Sequence, residues 1–217
     1  PLTHLAQICG QEKEECLGNL EMVIRGGMIL KKGDELSFVH DKVREAAYTL
    51  INQEEQARLH YKIGMSLYSM GDIETVEENI LFTIVNQLNL AGELLNEEEK
   101  GLLIDLNLRA CRIAKLSAAY KAALNFIIQA MRWIPEHIWE SDYELALSLF
   151  NERAAVEFLN ANFEKAEEYY DVIMLKAKED LDKTTVYRLK LEYLNGTGMF
   201  CDAIHEGIRF IKKLGIS

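Results

Sequence analysis

The sequence predicts an all-α protein: an array of helical hairpins preceded by a short segment that contains a small β-hairpin. Apolar residues make up 49% of the 217 residues, which is enough to build a sizeable core. Proline occurs only at Pro1 and Pro135, while strong helix formers such as Leu, Ala, Glu and Lys are abundant. Short separators containing glycine, asparagine or Pro135 divide the helical patterns, as expected for hairpins with tight connections.

The first fifty residues combine two short helices with a hairpin. LTHLAQICG and EKEECLGNLEMVIRGG predict helices, the second with apolar residues at helical spacing between Leu17 and Ile24. MIL and LSFV then follow strand-like patterns on either side of the turn KKGDE, where Gly33 supplies the positive φ that a tight turn requires. Residues 1–50 are therefore interpreted as a partial winged-helix subdomain whose opening helix is missing.

From Asp41 onward the sequence predicts helix to its end. Asp41 is expected to cap a helix whose apolar residues between Val43 and Ile51 form one stripe. Further helices are predicted over the segments 53–70, 74–91, 97–115, 118–133, 142–160, 163–179, 183–195 and 200–213. Residues 51–217 thus form a predicted helical repeat domain.

Three segments of this domain share one pattern: AKLSAAYKAALNFIIQA, LNANFEKAEEYYDVIML and LNGTGMFCDAIHEGIRF. Each has a turn, an aromatic residue and, three residues later, an alanine; these alanines are separated by 43 and then 37 residues. Twelve residues before each alanine lies the position where one helix is expected to pack closest to its partner. The alanines and these close-packing positions are Ala123, Ala166, Ala203, Cys111, Ala154 and Leu191.

This pattern resembles the tetratricopeptide repeat, whose period is about 34 residues. The resemblance implies a right-handed superhelical array of hairpins, in which each hairpin covers the apolar face of its neighbour. The longer, uneven spacing and the bulky Leu191 depart from that repeat. An earlier hairpin with Gly64 at the close-packing position is interpreted as a diverged first repeat.

The charge of the chain argues against nucleic acid and membranes as partners. Twenty-four Lys and Arg oppose thirty-five Asp and Glu, a net charge of −11, and such a surface repels phosphate backbones. Within residues 1–50, six basic residues face eight acidic ones, and the presumed recognition helix opens with EKEE. No apolar run approaches the roughly 18–20 residues of a membrane span. A transcriptional regulator that binds DNA through the winged helix is nevertheless kept as the alternative function.

Candidate catalytic and metal sites are weak in this sequence. His40 and Asp41 are adjacent, and neighbours at a strand end point to opposite sides rather than toward one proton. The histidines are scattered without metal-ligand spacing, so His60 is interpreted as a satisfied core histidine. Glycine-rich phosphate loops are also absent. The chain is therefore expected to be non-enzymatic, with no metal and no cofactor, and its scattered cysteines suggest a reduced, cytoplasmic protein.

The remaining candidate is the face formed by the first helix of each hairpin. Such faces bind peptides or neighbouring domains in stacked hairpins; a solvated surface is the alternative interpretation. The residues expected on this face are Asp105, Arg112, Lys115, Asn151, Arg188, Glu192 and Asn195.

One resemblance covers almost the whole chain. FVHDKVREAAYTLINQEEQARLHYKIGMSLY, VNQLN, LNLRACRIAKLSAAYKAALNFIIQAM and WESDYELALSLFNERAAVEFLNANFEKAE are similar to the helical region of bacterial signalling ATPases of the STAND class. In particular, they resemble multidomain proteins that join a kinase-like domain, a predicted ATPase, a winged helix and helical repeats to a sensor histidine kinase or a nucleotide cyclase. Because the chain opens at Pro1 without methionine, it is expected to be cut from a longer polypeptide.

The resemblance implies a role for this part of such a protein. The ATPase or kinase activity would lie elsewhere, and this chain would be a regulatory, protein-interaction module that senses the nucleotide switch. His40 in FVHD matches a winged-helix position that can face bound phosphates, so it becomes a possible nucleotide-state contact in the intact protein. The expected partners are proteins, peptides or adjacent domains.

Overall fold

Helices account for most of the residues that the computed structural model describes, namely 1–70 and 77–215. One small antiparallel sheet accompanies them, so the predicted all-α class is confirmed. The described chain divides into two compact units, Pro1–Glu99 and Lys100–Ser217. The predicted boundary between residues 50 and 51 lies inside the first unit and stays a prediction. The predicted start of one helix at residue 74 falls outside the described residues.

The first unit begins with α1 (Leu2–Cys9), α2 (Lys13–Arg25), β1 (Ile29–Lys32) and β2 (Glu35–Phe38). The strands pair antiparallel from Ile29 opposite Phe38 to Lys32 opposite Glu35, and Gly33 in the turn has a φ of +63°. Leu2, Ala6 and Cys16 form a small buried cluster beneath them. These elements match the predicted order of two helices and a hairpin.

Asp34 in the hairpin turn connects this turn to α1 and α2. Its carbonyl accepts a hydrogen bond from the Leu2 amide at 2.6 Å, and its carboxylate accepts one from the Thr3 hydroxyl at 2.9 Å. The carboxylate also forms an ion pair with Lys13. The hydrogen bond from Lys13, with those from Thr3, lowers the pKa of Asp34 to about 2.

The helix that follows, α3 (Asp41–Thr49), does not begin as predicted. His40 is its N-cap, with extended backbone and with Nδ1 accepting a hydrogen bond from the Lys42 amide at 3.2 Å. Asp41 is instead the first helical residue and pairs with Arg44 at 3.3 Å. The prediction that Asp41 caps this helix is therefore wrong: the helix begins one residue earlier, and the His40 imidazole accepts a free amide of its first turn.

Two longer helices complete the first unit, α4 (Gln53–Met70) and α5 (Glu78–Ala91). Gly64 of α4 is buried against Leu88 of α5, at the point where the sequence predicted close packing. His60 lies between the Tyr48 hydroxyl, 2.8 Å from Nε2, and Gln87 Oε1, 2.7 Å from Nδ1. Both ring nitrogens therefore have partners, as expected for a satisfied histidine.

The second unit holds the three predicted repeats. Its helices are α6 (Glu97–Leu116, which starts at the end of the first unit), α7 (Tyr120–Arg132), α8 (Ile138–Ser141), α9 (Tyr143–Leu159), α10 (Phe163–Lys176), α11 (Thr184–Gly196) and α12 (Phe200–Lys213). All but the short α8 lie within a few residues of the predicted bounds. Their apolar periodicity made them readable from sequence.

The same backbone turn joins the two helices in each of the three repeats. A residue with positive φ stands five positions before each repeat alanine: Ala118 at 56°, Ala161 at 60° and Gly198 at 79°. The amide of the next residue then bonds back to the last turn of the first helix, at 2.8 to 2.9 Å in all three cases. These are Schellman-type helix ends. The three repeats therefore share a backbone conformation as well as a sequence pattern. The handedness of a superhelix stays a prediction.

Leu191 departs from the small-residue pattern because its partner is small instead. Gly207 of α12 faces it, and a Cβ on Gly207 would lie 3.8 Å from a Leu191 methyl group. In the preceding hairpin, the equivalent positions hold Ala154 and the buried Tyr170, which belong to one core cluster. In one hairpin the first helix carries the small residue, Ala154, and the second helix carries the large one, Tyr170. In the next hairpin the sizes are reversed, with Leu191 on the first helix and Gly207 on the second, so the space between the helices stays filled in both.

The longer spacing between the first two repeat alanines is taken up by the segment around α8. Ile138 and Trp139 are buried there with Ala146 of α9. The Trp139 ring lies 5.0 Å from that of Phe150 and 5.8 Å from that of Tyr143. Trp139 is therefore a core residue, and the extra residues form an apolar plug rather than an open loop.

Candidate functional site

The adjacent pair His40 and Asp41 contributes to the start of α3. Both residues are exposed. His40 Nδ1 already accepts the Lys42 amide, and Asp41 pairs with Arg44. Both side chains therefore have local structural partners. A role for His40 as a nucleotide-state contact stays a prediction that concerns the intact protein.

Within residues 1–70 and 77–215, no group of three or more His, Cys, Asp and Glu side chains is arranged to hold a metal ion. Over the same residues, no helix is both long and apolar enough to cross a membrane. The remaining candidate surfaces lie on the helical hairpins of the second unit.

The first helices α6 and α9 are joined by a polar network. Arg112 Nε donates to Glu152 Oε1 at 3.2 Å, and the same guanidinium donates to the Ser148 hydroxyl. Lys115 donates to the second oxygen of Glu152, and both of these side chains are mostly buried. Arg112 and Lys115 were predicted on this face, whereas Ser148 and Glu152 were missed. The sequence signal that could have pointed to Glu152 is its position directly after Asn151, which was predicted on this face.

The face continues from α9 to α11, which pack against each other. Asn151 and Arg188 occupy equivalent positions of successive hairpins, 37 residues apart. Asn151 is half-buried, and its Oδ1 is buried without a hydrogen-bond partner among the described residues. Arg188 is exposed and pairs with Glu192 one helical turn later, at 2.6 Å. A half-buried amide with an unsatisfied oxygen and an exposed guanidinium therefore mark adjacent helices.

Two predicted residues, Asp105 and Asn195, lie outside this network. Asp105 is exposed on α6, where partial desolvation and the negative charge of Asp142 raise its pKa. Asn195 is exposed near the end of α11. Neither is tied into the network between α6 and α9, so the structure joins only part of the predicted set.

A second feature, missed from sequence, is a cleft of about 510 Å³ between α10 on one side and α11 and α12 on the other. Phe163, Tyr170 and Tyr193 line it, together with charged side chains that include Glu167 and Lys190. The Tyr170 hydroxyl is buried and has no hydrogen-bond partner among the described residues. Burial, with the negative charge of Glu167, raises the pKa of Tyr170 to about 12, so this phenol is neutral at physiological pH.

A buried ion pair stabilises the end of α9 beside these surfaces. Arg153 Nε donates to Glu157 Oε1 at 2.8 Å, and Asn162 donates to the other carboxylate oxygen at 2.7 Å. Arg153 is 8% exposed and Glu157 2%. Because both charges are paired and hydrogen-bonded, this group is best understood as structural.

Comparison with known proteins adds no relative: no protein family, no curated protein and no solved structure matches this chain.

Proposed function

We propose that this chain is a non-catalytic regulatory module of a larger cytosolic signalling ATPase or kinase, and that it binds protein segments on the face formed by α6, α9 and α11. The carrying observation is the pair of equivalent positions Asn151 and Arg188 on adjacent first helices. One offers an amide acceptor without a partner, and the other offers an exposed guanidinium.

These two groups suit an extended polypeptide. A peptide backbone carries an N–H donor and a C=O acceptor on almost every residue, and both need partners when a surface covers them. Asn151 Oδ1 is buried, so it would accept a backbone N–H after its side-chain amide turns outward, while Arg188 would donate directly to a carbonyl or a carboxylate. The buried Asn151 oxygen also gains more from a partner than an exposed one, because burial without a hydrogen bond is costly.

The network between α6 and α9 prepares this face for binding. Glu152 holds Arg112 and Lys115 in place, so the first helices keep a fixed separation before a partner arrives. A preorganised surface loses less conformational entropy on binding. The assignment to a signalling ATPase rests on the sequence resemblance of the FVHD and repeat segments, and it implies that the natural partner is an adjacent domain or another signalling protein.

A random peptide library displayed on phage would test the binding face. We expect panning against the chain to enrich peptides of one consensus, with affinity reduced at least about tenfold by Asn151→Ala or Arg188→Glu, a loss typical of residues central to an interface. Arg58→Glu is the matched control, because Arg58 forms a similar exposed pair with Glu54, at 2.5 Å, in the first unit.

Two results would contradict the proposal. One is that no peptide is enriched above background. The other is that enriched peptides bind the Arg188→Glu and Asn151→Ala variants as tightly as they bind the parent chain. Circular dichroism of each variant would show whether the helices are intact, so that lost binding can be assigned to the surface.

A further inference from the structure

The cleft beside Tyr170 holds opposite charges on two of its walls. Glu167 of α10 and Lys190 of α11 both line it, and the Lys190 ammonium lies 5.9 Å from the centre of the Tyr170 ring. Glu164, one helical turn before Glu167, adds a second carboxylate to the α10 wall. Among the residues that the structure describes, neither Glu167 nor Lys190 has an ion-pair partner. Both charges are therefore open to a molecule that enters the cleft.

The charged residues that α12 contributes to the cleft already have partners. Arg209 pairs with Glu206 at 3.5 Å. Lys213 donates a hydrogen bond to the Tyr187 hydroxyl at 3.4 Å. The open charges of the cleft thus belong to α10 and α11, and the outer face of α12 does not contribute to them.

The preceding hairpin shows what a cation at the position of Lys190 binds. A shift of 37 residues maps Lys190 and Leu194 of α11 onto Arg153 and Glu157 of α9. Arg153 and Glu157 are both buried, and Arg153 Nε donates to Glu157 Oε1 at 2.8 Å. Leu194 cannot supply such a carboxylate, although Lys190 keeps the cation. The cleft therefore retains the positive half of a charge pair and lacks the negative half.

Apolar and aromatic side chains form much of the remaining lining. The Phe163 and Tyr193 rings lie 5.0 Å apart, and Met174 and Val186 continue the apolar surface. The volume of about 510 Å³ is in the range of small-molecule sites. The Tyr170 hydroxyl is buried without a partner among the described residues, so it would donate to a ligand oxygen after its ring turns toward the cleft. Such a bond would remove the cost of an unsatisfied polar group.

We propose that this cleft binds a free amino acid with an aromatic side chain. The ligand carboxylate pairs with Lys190, and the ligand ammonium group faces Glu167. The aromatic ring of the ligand packs against Phe163 and Tyr193. A zwitterion satisfies the charges of both walls at once, whereas a neutral apolar molecule would cover both charges and leave them unpaired. This site is additional to the peptide-binding face of the first helices.

Isothermal titration calorimetry of the full chain with L-phenylalanine, L-tyrosine and L-tryptophan would test this proposal. We expect saturable binding of at least one of them. For that amino acid, the amide lacks the carboxylate and the deaminated acid lacks the ammonium group. Each of these two analogues should bind at least about tenfold more weakly, because a hydrogen bond to a charged group contributes that much.

Two variants of the cleft should show the same losses from the side of the protein. Lys190→Met and Glu167→Gln each remove one charged contact, so each should weaken binding at least about tenfold. The matched controls are Lys176→Met and Glu168→Gln on α10, because both residues lie outside the cleft lining. These controls should leave binding within about twofold, as peripheral changes do.

Leu194→Glu tests the comparison with the preceding hairpin. It installs the carboxylate that Glu157 provides there, so Lys190 gains a partner within the chain and ligand binding should fall at least about tenfold. Circular dichroism would show whether its helices are intact, and peptide enrichment on the face of the first helices should be retained. The proposal would be overturned if none of the three amino acids bound saturably, or if Lys190→Met left their binding unchanged. Equal binding of the amino acid and its amide would also overturn it.

Discussion

Gly64 and Leu88 lie so close together that a Cβ added to Gly64 would be 2.5 Å from Leu88 Cδ2. Leu88 is fully buried in α5, so its side chain has little room to move away. Glycine normally weakens the interior of a helix by about 1 kcal/mol relative to alanine. At this position the close approach of α4 and α5 requires it.

Gly64→Ala should therefore destabilise the first unit despite the better helix propensity of alanine. We expect a net loss of about 1–2 kcal/mol in the free energy of unfolding, because overpacking of a full core outweighs the propensity gain. Gly18→Ala in α2 is the control, since no atom lies within 4 Å of its Cβ position; it should stabilise by up to about 1 kcal/mol. Urea unfolding would measure both. An equal gain for the two variants would contradict the packing argument.

At the turn shared by the repeats, glycine is expected to stabilise the fold relative to alanine, the reverse of the effect in the interior of a helix. Ala161 adopts a left-handed conformation that costs a residue with a Cβ about 1–2 kcal/mol. Ala161→Gly should thus stabilise the second unit by about 0.5–1 kcal/mol after the greater flexibility of glycine in the unfolded chain is included. Gly198→Ala at the equivalent turn should destabilise by a similar amount. Thermal unfolding of both variants would test this, and shifts of the same sign would refute it.

The buried pair at the end of α9 should be sensitive to the loss of one partner. Glu157→Gln removes the charge that compensates the buried Arg153, so we expect a destabilisation of about 3 kcal/mol. Glu54→Gln removes an exposed partner of Arg58 with the same spacing, and it should cost less than about 1 kcal/mol. Chemical denaturation would compare them. Similar losses at the two sites would show that burial does not determine the effect.

Asp34 should link the stability of the first unit to acid pH. Its folded pKa of about 2 lies below the value of about 3.9 expected in an unfolded chain. The carboxylate therefore stabilises the fold above about pH 4, and this contribution is lost as the pH falls toward 2. Relative to Asp34→Asn, the parent chain should have a higher urea midpoint at pH 6, and most of this difference should be lost by pH 2. A difference as large at pH 2 as at pH 6 would exclude this linkage.

The helices of this protein could be predicted because their apolar periodicity is strong and their separators are short. The repeat pattern around Ala123, Ala166 and Ala203 was also readable, since it depends on residue size at fixed spacing. The start of α3 was not, because His40 rather than the more usual Asp41 provides the capping group. Histidine is a less usual N-cap than aspartate, so the sequence pattern favoured the wrong residue.

The candidate surfaces were only partly predictable. Equivalence between repeats placed Arg112 and Asn151 on first helices, but not the link between Arg112 and Glu152, which joins residues 40 positions apart. The cleft beside Tyr170 depends on the distance between α10 and its neighbours, and that distance has no signature in a single sequence.

The plug formed by Trp139 has a consequence for how this chain folds. Similar hairpins joined in series can pair with the wrong neighbour during folding, a characteristic failure of repeat proteins. Trp139 fits against Phe150 and Tyr143 of α9. A mispaired arrangement that separated α8 from α9 would leave this indole in water, at a cost of about 2–3 kcal/mol. The irregular insertion thus favours the correct pairing of α8 with α9. It disfavours arrangements in which similar hairpins pair in the wrong order.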